Sequence, residues 1–195
     1  MSDFNDDYVK LQTEGSGWSY GSAWGDQMEE AIVEWFARSI PIESSVVDIG
    51  CGEGRGMDAL KNCGFKSISG IDLSQEKLDK AKSRGWETVY NEDFHKLIRH
   101  EYEYDYAFCS HTLEHAYDLE LALSSIELVV KKALFFIVPV GETKEGVATY
   151  NPSHTSPIKD IDEIKALLTS MGYAKFHLEE KMRMCKEVWG IIYYD

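Results

Sequence analysis

A doubly wound α/β fold is what residues 26–195 predict: a seven-stranded, mostly parallel sheet with helices on both faces and a C-terminal antiparallel hairpin. Three observations carry that prediction. Strands and helices alternate along most of the chain. The β-branched run Val46-Val47-Asp48-Ile49 leads straight into Gly50-Cys51-Gly52-Glu53-Gly54, as a strand covered on both faces and followed by a tight turn would read. The last two strands have no helix between them, so they pair as a hairpin and one runs antiparallel.

The elements follow in order. Residues 1–25 read as an arm, with Gly15, Gly17, Gly21 and Gly25 scattered among Trp18, Tyr20 and Trp24. Those aromatic residues suit either a lid over the site or anchors that fasten the arm to the domain. A helix is expected from Asp26 to Ser39, with Met28, Ala31, Ile32, Trp35 and Phe36 at helical spacing and Pro41 ending it. Strand one is Ser45–Ile49. A helix over Arg55–Cys63 is closed by Gly64, and strand two is Ser67–Ile71. Ser74 caps a helix reaching Arg84, with Glu76 in its first turn and Gly85 after it. Strand three is Glu87–Tyr90, followed by a short helix over Phe94–Arg99. Strand four is Tyr104–Cys109, a helix covers Leu119–Val130, and Ala133–Pro139 is an apolar fifth strand. Asp160 or Ile161 opens a helix to Met171, ended by Gly172. Strands over Ala174–Met184 and Glu187–Tyr193 complete the domain.

Charge and composition narrow the function. The net charge of −14 disfavours a phosphate-gripping nucleic-acid binder, and the short basic run Lys77/Lys80/Lys82/Arg84 has acids interleaved. No apolar run reaches the roughly 18 residues that span a bilayer. The acidic start, Met1 to Asp7, is unlike a secretory signal, so a cytoplasmic protein is expected. Cys51, Cys63, Cys109 and Cys185 include no C-x-x-C pair and read as free thiols.

The glycine spacing selects a cofactor. The dinucleotide fingerprint G-x-G-x-x-G, counted from Gly50, would need its third glycine where Arg55 stands. The chain instead has Asp48-x-Gly50-x-Gly52-x-Gly54, and an acid, Asp72, at the end of strand two. In these residues it resembles the class I S-adenosylmethionine (SAM)-dependent methyltransferases, whose first motif has this acid-x-Gly-x-Gly-x-Gly form. The resemblance covers residues 26–195 and implies SAM as cofactor and methyl transfer as activity. Asp48 and Glu53 suit the ammonium of SAM and would repel a pyrophosphate. Asp48, Gly50, Cys51, Gly52 and Gly54 are then the cofactor turn. Asp72 takes the ribose hydroxyls, Leu73 packs on the adenine, and Asp93 with Phe94 completes the adenine site. Asp93 is equally suited to capping the next turn.

The segment Ser110-His111-Thr112-Leu113-Glu114-His115 resembles the family's fourth motif. Ser110 and His111 would lie near the sulfonium, and His111 is a candidate base. Glu114 and His115 read as structural. His111-x-x-Glu114-His115 also fits an inverted zinc motif, but that motif needs a regular helix, and here it follows a strand directly, so no metal is expected. His154, in the loop Asn151-Pro152-Ser153-His154-Thr155-Ser156-Pro157, is a second candidate base or acceptor contact. Strand four ends without an Asn-Pro-Pro-Tyr motif or a Pro-Cys pair, which argues against adenine-N6, glutamine and cytosine-C5 methylation. The reading is methyl transfer to oxygen or nitrogen of a small-molecule acceptor. An NAD-dependent oxidoreductase and a non-catalytic SAM-binding module are its rivals. The sequence leaves the oligomeric state open.

Overall fold

The architecture is a computed structural model that describes residues 10, 29–97, 104–141, 153–183 and 185–194. The expected arm, with Trp18, Tyr20 and Trp24, lies outside them apart from Lys10, as do Asn151 and Pro152. Seven strands form one sheet: β1 (Ser45–Ile49), β2 (Ser67–Asp72), β3 (Val89–Asn91), β4 (Tyr104–Ser110), β5 (Val130–Pro139), β6 (Phe176–Met182) and β7 (Lys186–Tyr193). Their order is β3-β2-β1-β4-β5-β7-β6. The first five are parallel, and β7 is antiparallel to both neighbours. The order reverses between β1 and β4, which opens a crevice at their carboxyl ends.

Helices cover both faces. A π-helical stretch, Ile32–Phe36, runs into a single turn α1 (Ala37–Ser39). These pack with α2 (Arg55–Asn62) and α3 (Gln75–Ser83) on the face that presents Val46, Phe108, Phe135 and Ile137. The other face presents Val47, Ile49, Ala107, Leu134 and Phe136 to α4 (Leu119–Glu127) and α5 (Ile161–Ser170). Side chains alternate across a strand, so β1 and β5 feed both cores and read as continuous apolar runs. Ser74, Asp118 and Asp160 cap α3, α4 and α5 through the amides of Lys77, Leu121 and Glu163.

Several boundaries differ from the sequence reading. β3 starts at Val89 and runs to Asn91. The expected helix after it is a turn over 94–97. The Asp93 carboxylate caps the turn through the His95 amide, but the Leu97 amide, which a helix would return to Asp93 O, goes to Ser125 Oγ instead. Helix α4 ends at Glu127 and β5 begins at Val130, because Val130 pairs with Tyr104 across a register shift. In the final hairpin β6 is shorter than expected, Phe176–Met182, while β7 begins one residue earlier than expected, at Lys186.

Candidate active site at the strand switch point

The carboxyl ends of β1, β2 and β4 meet at the glycine turn. Gly50, Gly52 and Gly54 have φ of 76°, 53° and 82°. At Gly50 the turn lies against Thr112, and a Cβ there would come within 2.1 Å of Thr112 Oγ1. At Gly52 a Cβ would meet only the Lys77 side chain, at 3.9 Å, so this glycine faces open space. One glycine packs against protein and the next leaves room for a ligand.

The turn's amides point inward. Those of Gly50 and Cys51 donate to Ile71 O at 2.7 and 3.0 Å, and that of Gly54 donates to Cys51 O. Gly52 donates to Asp72 Oδ2 at 2.8 Å, and Ser74 donates to Asp72 Oδ1 at 2.8 Å. A pyrophosphate needs such amides for itself. Asp72 keeps one lone pair per oxygen for hydroxyl donors. Leu73 beside it is half-buried, and its carbonyl accepts from the Asn91 side chain at 2.8 Å. Asn91 also reaches Asp72 O, tying the ends of β2 and β3 together.

Asp48 is 3% exposed, and burial, then the charge of Asp72, pushes its carboxyl up to about 7. Cys51 is packed against Gly70, and burial, then Asp48 and Asp72, holds its thiol far above the usual range. It is a packing thiol whose backbone serves the turn. Glu53 pairs with Lys80 on α3 at 3.3 Å. Asp93 is engaged with its own loop: Oδ1 lies 2.6 Å from His95 Nδ1 and Oδ2 lies 3.1 Å from Lys96 Nζ. Although burial opposes the charge, these contacts hold the carboxyl down at about 2. Phe94 is 8% exposed and stacks on the His95 ring at 4.4 Å, so its ring belongs to the core.

Ser110 is buried at the end of β4. His111 follows with φ of 50°, the one described residue besides glycine in the left-handed region. Its Nδ1 lies 3.6 Å from Glu114 Oε1 and its Nε2 lies 3.3 Å from Glu187 Oε1. Burial works against the charged imidazole, yet the two carboxylates outweigh it and raise the pKa to about 9. His111 is therefore a cation at neutral pH and lacks the lone pair that a base needs. Both partner acids are held below the usual range: burial opposes this, but His111 prevails.

Glu187 was not singled out from the sequence. It lies 76 residues beyond His111 (187 − 111) and reaches the site because β7 runs backwards, which sets Glu187 opposite Pro139 at the carboxyl end of β5. Trp189 Nε1 donates to its other oxygen at 2.9 Å.

Residues 113–115 form a 3-10 turn rather than a regular helix. The 153–156 segment is stitched to it. The Ser156 amide donates to Glu114 O at 2.9 Å, and Thr155 Oγ1 reaches the carbonyls of His115 and Ala116. His115 Nδ1 donates to Ser153 O at 2.9 Å. Burial first of all lowers the His115 pKa, which leaves it neutral. His154 is 9% exposed, with its ring edge-on to His115 at 4.9 Å between centroids. The structure thus brings His154 to Glu114 and His115, while His111 faces the two acids. No helix among the described residues is long and apolar enough to cross a membrane.

Residues 47–138 match the family profile described as a methyltransferase domain. The ubiquinone biosynthesis O-methyltransferase of Thiobacillus denitrificans is 31% identical over 108 residues, which are 51% of this chain and 45% of that protein. The human EEF1A lysine methyltransferase 2 is 33% identical over 76 residues, 38% of this chain and 32% of that protein. The chain thus spans less than half the length of either relative. The crystal structure of magnesium protoporphyrin IX methyltransferase from Synechocystis PCC 6803 with bound SAH superposes with a TM-score of 0.68. The match covers 97% of this chain and 99% of that one at 16% identity, a likeness of fold.

Proposed function

We propose that this chain transfers a methyl group from SAM to an oxygen or nitrogen of a small-molecule acceptor, a reading supported by the match of residues 47–138 to the methyltransferase-domain profile and by the shared fold. SAM, when bound, supplies an electrophilic methyl on its sulfonium. The chain's own residues hold it and orient the acceptor, since in-line displacement depends mostly on positioning. Asp72 takes the ribose hydroxyls with the lone pairs that Gly52 and Ser74 leave. Leu73 flanks the adenine. Asp48, buried and raised toward neutrality by Asp72, loses its proton to face the SAM ammonium. Asp93 and Phe94 fix the loop that borders the adenine, and Ser110 borders the methyl. His154 serves the acceptor's reacting atom. His111 is a positioning residue that holds Glu114 and Glu187 in place.

The observation that carries the cofactor reading is the inward turn of the glycine amides onto Ile71 O, Cys51 O and Asp72. It leaves few amides at the turn for a pyrophosphate and sets the acids Asp48 and Asp72 beside it, which disfavours NAD. The net charge of −14 favours an acceptor other than nucleic acid.

Calorimetric titration of SAM, with NAD as control, tests the reading on wild type and Asp72→Asn. SAM should bind, NAD should not, and the variant should weaken SAM binding about 10- to 100-fold, as loss of hydrogen bonds to a charged acceptor implies. A folded wild type that ignores SAM, or that prefers NAD, would overturn it.

A further inference from the structure

We propose that Glu114, His115 and His154 form a binding site for one divalent transition-metal ion, with zinc(II) and cobalt(II) as its natural chemistry. Each residue offers one ligand atom, and these atoms all lie within 4.8 Å of one another. Bonds of about 2.1 Å to a common ion keep two donors within about 4.2 Å of each other. Three donors sharing one ion sit about 3.4–3.6 Å apart, so side-chain movements of about 1 Å close the trio. Two imidazoles and a carboxylate with an open position are a donor set that zinc and iron(II) sites use.

Two independent features point to a cation. Glu114 is 1% exposed, and its Oε2 is a buried acceptor without a hydrogen-bond partner. An orphaned buried carboxylate oxygen is destabilising, and a coordinated ion removes the penalty. Secondly, His115 donates its Nδ1–H to the Ser153 carbonyl. That bond fixes the tautomer and leaves the lone pair on Nε2, the arrangement that supports a metal-ligating histidine from behind.

The platform is preformed, because the backbone and hydroxyl bonds of residues 153–156 lock His154 onto the 3-10 turn. The motif His111-x-x-Glu114-His115 supplies two of the ligands, but its first histidine turns away to Glu187. The third ligand comes from His154, 39 residues beyond His115 (154 − 115). Under the methyl-transfer reading, on which this step rests, the ion's open position would take an oxygen or nitrogen of the acceptor, so that His154 serves the acceptor through the ion.

The test uses the full chain, stripped with a chelator and titrated with cobalt(II) while visible absorption is followed. One equivalent should bind with the strong bands of a low-coordinate site, and zinc(II) should displace it. Glu114→Gln and His154→Gln should each weaken binding at least about tenfold, with circular dichroism confirming the fold. Lack of cobalt binding, or binding that both folded variants leave intact, overturns the proposal. A thiolate-to-cobalt charge-transfer band also overturns it, because it places the ion on a cysteine. SAM titration of the same samples keeps the outcomes separate: SAM binding without cobalt binding sinks the metal site alone, and cobalt binding without SAM binding sinks the methyl-transfer reading alone.

Discussion

His111 shows how a residue changes meaning once its neighbours are known. From its place at a strand end it reads as a base, and nothing local to it names Glu187. The contact depends on β7 returning antiparallel, a long-range pairing that one-dimensional spacing does not encode. Sandwiched between Glu114 and Glu187, it becomes a cation with a pKa of about 9, against 6.5 for the ordinary imidazole. The sign of the linkage follows. A raised histidine pKa gives stability that is whole below pH 6.5 and is lost as pH climbs through 9. The lowered pKa values of Glu114 and Glu187 give stability that is present above 4.5 and lost on acidification. The triad is therefore worth most between those limits. In chelator, the melting temperature of wild type should fall from pH 6.5 to pH 9.5, by roughly 5–10 °C for a contribution of about 2–3 kcal/mol. His111→Gln should melt lower than wild type at pH 6.5 and nearly coincide with it at pH 9.5. Parallel melting curves at both pH values would show that the imidazolium contributes nothing.

At the scale of elements, legibility tracks how local the determinants are. The glycine turn, the β-branched β1 and the caps Ser74 and Asp160 are specified by neighbours in sequence, and they stand where the pattern puts them. The segment after β3 does not, because its conformation is set across 28 residues. Ser125 Oγ accepts from the Leu97 amide at 2.7 Å and donates to Leu97 O at 3.3 Å, and Ser125 is 4% exposed. This hydroxyl on α4 replaces the bonds a helix would have made. Ser125→Ala strands a buried amide and carbonyl, at a cost of about 1–3 kcal/mol. Thermal unfolding should then fall by roughly 2–10 °C. An unchanged melting temperature would mean that water replaces the hydroxyl at no loss. His95 holds the same loop from the other side. It stacks on Tyr117 at 3.7 Å and accepts the Tyr117 amide at 3.2 Å, so the borders of the site after β3 and after β4 are one connected piece.

Over the whole molecule, alternation and the terminal hairpin were enough to specify the sheet and its layers, and the switch between β1 and β4 put the singled-out residues of four segments at one edge. The partners of those residues were hidden, since each comes from a different segment. The same topology has a consequence for synthesis on the ribosome. β7 follows β6 in the chain but lies inside it in the sheet. Until β7 has emerged, β6 has no neighbour and the ten-residue β5 presents an open edge. That edge is rich in Phe, Ile, Leu and Val, the composition that recruits other nascent chains. Stopping translation after Met182 should therefore yield mostly insoluble protein, which the soluble fraction of a lysate would show. Supplying residues 183–195 as a separate peptide during refolding should rescue part of it. Each newly made copy thus depends on β7 to seal a hazard that has existed since β5 was made.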